Sequence, residues 1–117
     1  MQKYLHEWQK PFDIRGFHFS SILQAQVIQL FLKYRGNIKL IAHKMGNTGR
    51  THIDAKLRRF RSDNHMDNNI HMVMRLVGRM GFWNELTGYL KLNKDLLAEA
   101  KQRAEQGRQA LIKRRKS

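Results

Sequence analysis

The chain has 117 residues, 41% of them hydrophobic, with two Trp, six Phe and one Pro, which is the size of one domain and enough apolar material to give it a core. It carries no cysteine, so disulfides and thiolate zinc sites are excluded and packing must hold the fold. Its net charge is +14, distributed as +1 over residues 1–19, +8 over 20–61, 0 over 62–93 and +5 over 94–117, so the cations form two blocks around a neutral one. No apolar run approaches the roughly 18 residues of a membrane span, and Met1 to Lys10 includes Glu7 and lacks the apolar stretch of a signal peptide, so the chain reads as cytosolic.

Residues 1–19 are read as an N-terminal aromatic arm. Tyr4, Leu5, Trp8, Phe12, Phe17 and Phe19 are too apolar for a free tail, so the arm is expected to cover the core or reach a partner. The alternation at Phe17 and Phe19 permits a short strand.

Beyond residue 20 helix signals dominate, and the expected fold class is all-α. Ser20 or Ser21 is placed to cap a helix starting "ILQAQVIQLFLKY", whose Leu23, Val27, Leu30, Phe31 and Tyr34 form one apolar face. Gly36 supplies the positive φ that ends it. Asn37 caps a second short helix, Ile38 to Met45, which Gly46 breaks. A third helix starts near Thr48 or Gly49, with Ile53, Leu57 and Phe60 turned toward the first two.

Two short helices joined by a glycine turn behind a longer one are the layout of a helix-turn-helix, which places its second member in the major groove. With Ile53, Leu57 and Phe60 inward, a rotation of about 100° per residue leaves Thr48, Thr51, Ala55 and Arg58 on the opposite side, flanked by His52 and Arg59. That side is small and cationic, suited to base edges. The candidate base contacts are Arg50, Thr51, His52, Arg58 and Arg59, and the candidate phosphate contacts are Lys33, Arg35, Lys39, Lys44 and Lys56. By facing alone, Arg50 and Lys56 flank the inner stripe and suit phosphate better than base. Asp54 is expected to pair with Arg50 or Arg58.

"GNIKLIAHKMG" followed by "IDAKLRRF" resembles the C-terminal helix-turn-helix of the factor for inversion stimulation, a bacterial nucleoid protein, over Val27 to Phe60. The resemblance rests on Gly36-Asn37, the small Ala42, Gly46, and Ile53, Leu57 and Phe60. It implies a dimer that binds and often bends DNA, with Arg50 at the start of the recognition helix reading a base. The chain departs from the family pattern in its turn, which holds one residue more and has Asn47 in place of an apolar residue, and Ala55 stands where a lysine would help.

In "RSDNHMDNNIH", Asp63, His65, Asp67, Asn69 and His71 alternate like metal ligands. A calcium loop starting at Asp63 requires Gly and Glu where Asn68 and Met74 stand, so the segment is read as a turn in which Asp67 or Asn68 caps a helix beginning near Ile70. Val73, Met74, Val77 and Met80 make one stripe, continued by Phe82, Trp83, Leu86, Tyr89 and Leu90, with a break expected near Gly81. Core is the default for this stripe, and its surplus over a small domain's needs makes 62–93 the expected homodimer surface.

The segment 94–117 reads as a projecting basic helix, with Asp95 as its cap, Leu97, Ala100, Ala104 and Leu111 on one side, and Lys113 to Lys116 available to phosphate. Its apolar stripe is thin and lacks aromatics, so membrane docking is not expected. The scattered carboxylates and the lack of a serine or histidine arrangement give no sign of an enzyme, and no cofactor, metal or small-molecule substrate is implied. The expectation is a nucleoid-associated protein that recognises double-stranded DNA, regulating transcription or organising DNA. The competing expectations are a basic RNA-binding or ribosome-associated protein, served by "KLRRFR" and "IKRRKS", and a module docking an acidic partner.

Overall fold

A computed structural model describes residues 6–46 and 49–116. Among them the order is a 3₁₀ turn (Glu7–Gln9), a hairpin of β1 (Phe12–Ile14) and β2 (Phe17–Phe19), then α1 (Ile22–Lys33), α2 (Ile38–Lys44), α3 (Arg50–Asp63), α4 (Asn69–Gly78), α5 (Phe82–Leu92) and α6 (Lys94–Lys116). The chain is thus mostly helical, with one small antiparallel sheet. Tyr4, Leu5, Asn47 and Thr48 lie outside the described residues.

Phe12–Phe19 form a hairpin that covers the core, with the expected short strand at Phe17–Phe19. Arg15 and Gly16 both take positive φ, +50° and +86°, the backbone of a two-residue turn whose twist matches the flanking strands. The register pairs Phe12 with Phe19, Asp13 with His18 and Ile14 with Phe17. Alternation then sends Ile14, Phe17 and Phe19 into the core, while Asp13 and His18 pair on the outer face, Oδ1 to Nδ1, at 2.8 Å. Phe19 lies 5.0 Å from Phe60 and 6.3 Å from Phe82, Phe17 meets Phe82 edge-on at 5.4 Å, and Phe12 stacks on Tyr89 at 4.2 Å. The hairpin is therefore a wedge of aromatic rings between α3 and α5.

Around it, α1 is the central post. Ser21 Oγ accepts from the Gln24 N–H to start it, and Arg35 and Gly36, at φ +52° and +78°, end it with the Gly36 N–H donating to the Phe31 carbonyl at 2.9 Å. Ile22, Ala25, Val27, Ile28, Leu30 and Phe31 are all buried, because β2, α2, α3, α5 and α6 pack around this one helix. The expected one-sided stripe of Leu23, Val27, Leu30, Phe31 and Tyr34 is therefore only part of its buried surface.

Asn37 caps α2 by accepting from the Leu40 N–H, and Ile53, Leu57 and Phe60 turn α3 inward, so α1, α2 and α3 pack pairwise. Asn68 caps α4 through the His71 N–H, and Gly81, at φ +80°, separates α4 from α5 near the expected break. Two expectations are corrected here. The inward stripe of α4 is Met72 and Leu76, leaving Met74, Val77 and Met80 exposed, because α4 packs on α3 and α5 through one side only. Asp95 sits in the first turn of α6 rather than capping it, and α6 packs through Leu96, Leu97 and Ala100, with Ala104 exposed.

No helix among the described residues is long and apolar enough to cross a membrane.

Candidate nucleic-acid interface

α3 is amphipathic with its two sides cleanly divided. Ile53, Leu57 and Phe60 are buried against α1, α2 and β2, while Arg50, Thr51, His52, Ala55, Arg58 and Arg59 are all exposed. Thr51, His52, Arg58 and Arg59 thus share the outer side of one clamped helix, while Arg50 is exposed at its first turn beside the inner stripe. Its position is fixed from behind by Gln24, a side chain with almost no exposure. Gln24 Oε1 accepts from the Ser20 N–H at 2.8 Å and its Nε2 donates to the Lys56 carbonyl at 3.1 Å, bridging the start of α1 to the middle of α3.

The outer cations differ in how they are held. Arg50 Nε lies 3.6 Å from the Asp54 carboxylate and Arg59 Nε lies 3.7 Å from Asp63, each one helical turn away. Exposed pairs of this kind contribute about 0–1 kcal/mol, so either arginine is readily released to a phosphate or base. Arg58 is exposed and, among the described residues, forms no ion pair. Of the two partners open to Asp54, Arg50 is the one it takes.

The candidate phosphate contacts divide. Lys39 and Lys44 are exposed on α2, and Lys44 shares a cleft with Met45, Lys101 and Gln102, which brings α6 alongside the end of α2. Lys56 is half-buried beside the inner stripe. Lys33 and Arg35, at the end of α1, line clefts with α4, so they belong to a different surface.

Several other cations are committed within the fold. Arg75 donates to the Asn64 carbonyl at 2.6 Å, and the guanidinium groups of Arg75 and Arg79 lie 5.4 and 5.3 Å from the Phe17 ring. Arg61 donates to Asn69 Oδ1 at 3.0 Å, and Arg15 pairs with Glu85 at 3.5 Å. Net charge alone does not distinguish these structural arginines from free ones. The Asp63–His71 segment is likewise a hydrogen-bonded turn. Asn68 caps α4, the Asp67 N–H donates to His71 Nδ1, and Asn69 takes Arg61. No group of three His, Cys, Asp or Glu placed to hold a metal occurs among the described residues.

Sequence reasoning missed two amides that hold α3, Gln24 at its middle and Asn64, whose side chain joins the end of α3 to the hairpin through His18. Gln24 shows as a polar residue within an apolar helix, and Asn64 as an Asn just past a helix end, and both signals are common enough to pass as surface. Set against known proteins, the chain matches no family model, no curated protein and no solved structure.

Proposed function

We propose that this chain binds double-stranded DNA, with α2 and α3 acting as a helix-turn-helix of the kind found in the factor for inversion stimulation, and that it serves as a transcriptional regulator or DNA-organising accessory factor of the nucleoid. One observation carries this reading: the buried stripe Ile53, Leu57 and Phe60 clamps α3 so that Arg50, Thr51, His52, Arg58 and Arg59 stand exposed, with the acids Asp54 and Asp63 held only in exposed pairs with Arg50 and Arg59. A rigid helix with small and cationic residues outward is what the major groove admits, Arg pairing with guanine and Thr with bases or phosphates. Lys39 and Lys44 on the neighbouring α2 supply phosphate contacts, and the basic end of α6 adds affinity without reading sequence.

The test is a footprint on fragments of the native genome. Discrete protected sites are the expected result, paired at about one helical turn, roughly 34–36 Å, if two copies act together. Uniform coating of any duplex, or tighter binding to structured RNA than to every DNA fragment, overturns the reading in favour of a general condenser or an RNA-binding protein.

A further inference from the structure

The outer side of α4 is apolar and faces solvent. Ile70 is 74% exposed, Met74 69% and Val77 71%, at successive turns of one helix face, and Met80, at 90%, extends the row toward Trp83. Two clefts lie between this row and the end of α1, one of about 420 Å³ beside Ile70 and Met74, the other of about 370 Å³ beside Met80 and Trp83. Leu32 and Val77 line both, so the clefts form one groove about as long as α4, roughly 15 Å. Isolated exposed apolar residues need no explanation, but a contiguous row beside a groove marks a contact surface.

The groove carries charge of one sign. Arg35 lines the first cleft and Lys33 the second; both are exposed, and among the described residues neither forms an ion pair. Lys33 rests 5.5 Å from the Tyr34 ring, an exposed contact weak enough to leave its ammonium available. Arg79 also lines the second cleft, but its guanidinium is already placed over Phe17. No carboxylate lines either cleft: Asp67 precedes α4, stands outside both and lies 3.8 Å from His71.

We infer that this groove binds an acidic amphipathic helix of another protein, its apolar face filling the clefts and its carboxylates meeting Lys33 and Arg35. A groove of this length takes about three helical turns, with apolar anchors at i, i+3 or i+4, and i+7. A second copy of this chain, at +14, brings its own Lys33 and Arg35 to the same groove and is repelled. A flat anionic membrane leaves the clefts unfilled, whereas side chains projecting from a helix enter them. Nucleic acid offers the cations phosphate but has nothing to cover Ile70, Met74 and Val77. No residue of α3 lines either cleft, so the inference does not rest on DNA binding.

The test uses the full chain, no nucleic acid, and as probe a labelled peptide of about 18 residues, long enough to form a helix, with leucines at i, i+3, i+4 and i+7 and glutamates between. At physiological salt it is expected to bind with a micromolar dissociation constant, as a small interface does, and to shift the emission of Trp83, which lines the second cleft, to shorter wavelength. A peptide of the same composition with its leucines scattered, and one with lysine for glutamate, are each expected to bind at least about tenfold more weakly. Met74→Glu is expected to weaken the acidic peptide at least about tenfold, and Lys33→Gln with Arg35→Asn about fivefold, Asn suiting the φ of +52° at that position. Lys39→Gln with Lys44→Gln removes the same charge from α2 and is expected to change binding less than about twofold. Circular dichroism reports whether each variant keeps its helix content. Absence of peptide binding overturns the inference; if the chain then dimerises or binds anionic vesicles through Met74, the occupant is a second copy or a membrane. Equal binding of the ordered and scattered peptides, or binding that Met74→Glu leaves intact, also overturns it, because the peptide is then held by net charge elsewhere on the chain.

Discussion

The side-chain amide of Asn64 pairs with both backbone groups of His18: its Oδ1 accepts the His18 N–H at 2.7 Å and its Nδ2 donates to the His18 carbonyl at 2.9 Å. In a hairpin closed by the two residues Arg15 and Gly16, Ile14 and Phe17 bond each other and His18 points its backbone outward, so Asn64 stands where a third strand would be. The same amide donates to the Phe60 carbonyl at 2.8 Å, so one side chain joins the end of α3 to the hairpin.

Asn64→Leu is therefore expected to destabilise the fold by roughly 1–3 kcal/mol, because it leaves the His18 groups unpaired in a partly buried place. Asn64→Asp keeps the acceptor and loses the donor, and falls between. Chemical denaturation measures both. A loss for the leucine variant below about 1 kcal/mol contradicts the role assigned here.

Two glycines are expected to respond oppositely to alanine. At Gly36, with φ +78°, an added Cβ stands 3.2 Å from the Phe31 ring, so Gly36→Ala combines backbone strain with a tight contact and is expected to cost about 1–3 kcal/mol. At Gly88, inside α5, an added Cβ meets nothing within 4 Å, so Gly88→Ala is expected to stabilise by about 0.5–1 kcal/mol. Thermal or chemical denaturation of the pair checks both signs.

Local rules explain what was legible in the sequence. Ser21, Asn37 and Asn68 act as caps, Gly36, Gly46 and Gly81 break helices, and Ile53, Leu57 and Phe60 face inward, since each depends on neighbours a few residues away. What was not legible depends on contacts distant in sequence. α1 is buried on several sides because five other elements reach it, and periodicity does not report that number. In α4, Met74 and Val77 are as apolar as Met72 and Leu76, and only the position of α3 and α5 decides which pair is covered. The same holds for charge. Arg75 and Arg79 were counted with the cations, yet they flank Phe17.

Tyr89 provides a pH test of the hairpin's seat. Burial, reinforced by the Glu7 carboxylate, raises its phenol above the ordinary value of 10.0. A group raised in the folded state contributes stability that is complete below its unfolded pKa and is lost as pH climbs through the folded one. Stability is thus expected to fall above about pH 10. Tyr89→Phe, which keeps the stack on Phe12, is expected to fall less steeply there, and stability measured at several alkaline pH values compares the two. Parallel curves for the two proteins contradict the assignment.

The division of cations on and around α3 yields the functional prediction. Arg58 is exposed on the outer side with no ion pair among the described residues, so it is the arginine freest to meet a base, and Arg58→Ala is expected to cost about 1–3 kcal/mol on a preferred site while relaxing discrimination there. Lys39 is exposed on α2, so Lys39→Ala is expected to weaken binding to every sequence alike and to flatten the dependence of affinity on salt by about one phosphate's worth. Arg79→Met serves as the contrasting case, because that guanidinium sits over Phe17: folding stability should drop slightly while the salt dependence of DNA binding stays unchanged. Titrations of one specific and one scrambled duplex at three salt concentrations separate these outcomes. If Arg58→Ala and Lys39→Ala lose equally on both duplexes, α3 is touching phosphates only, and the base-reading role passes to some other part of the molecule.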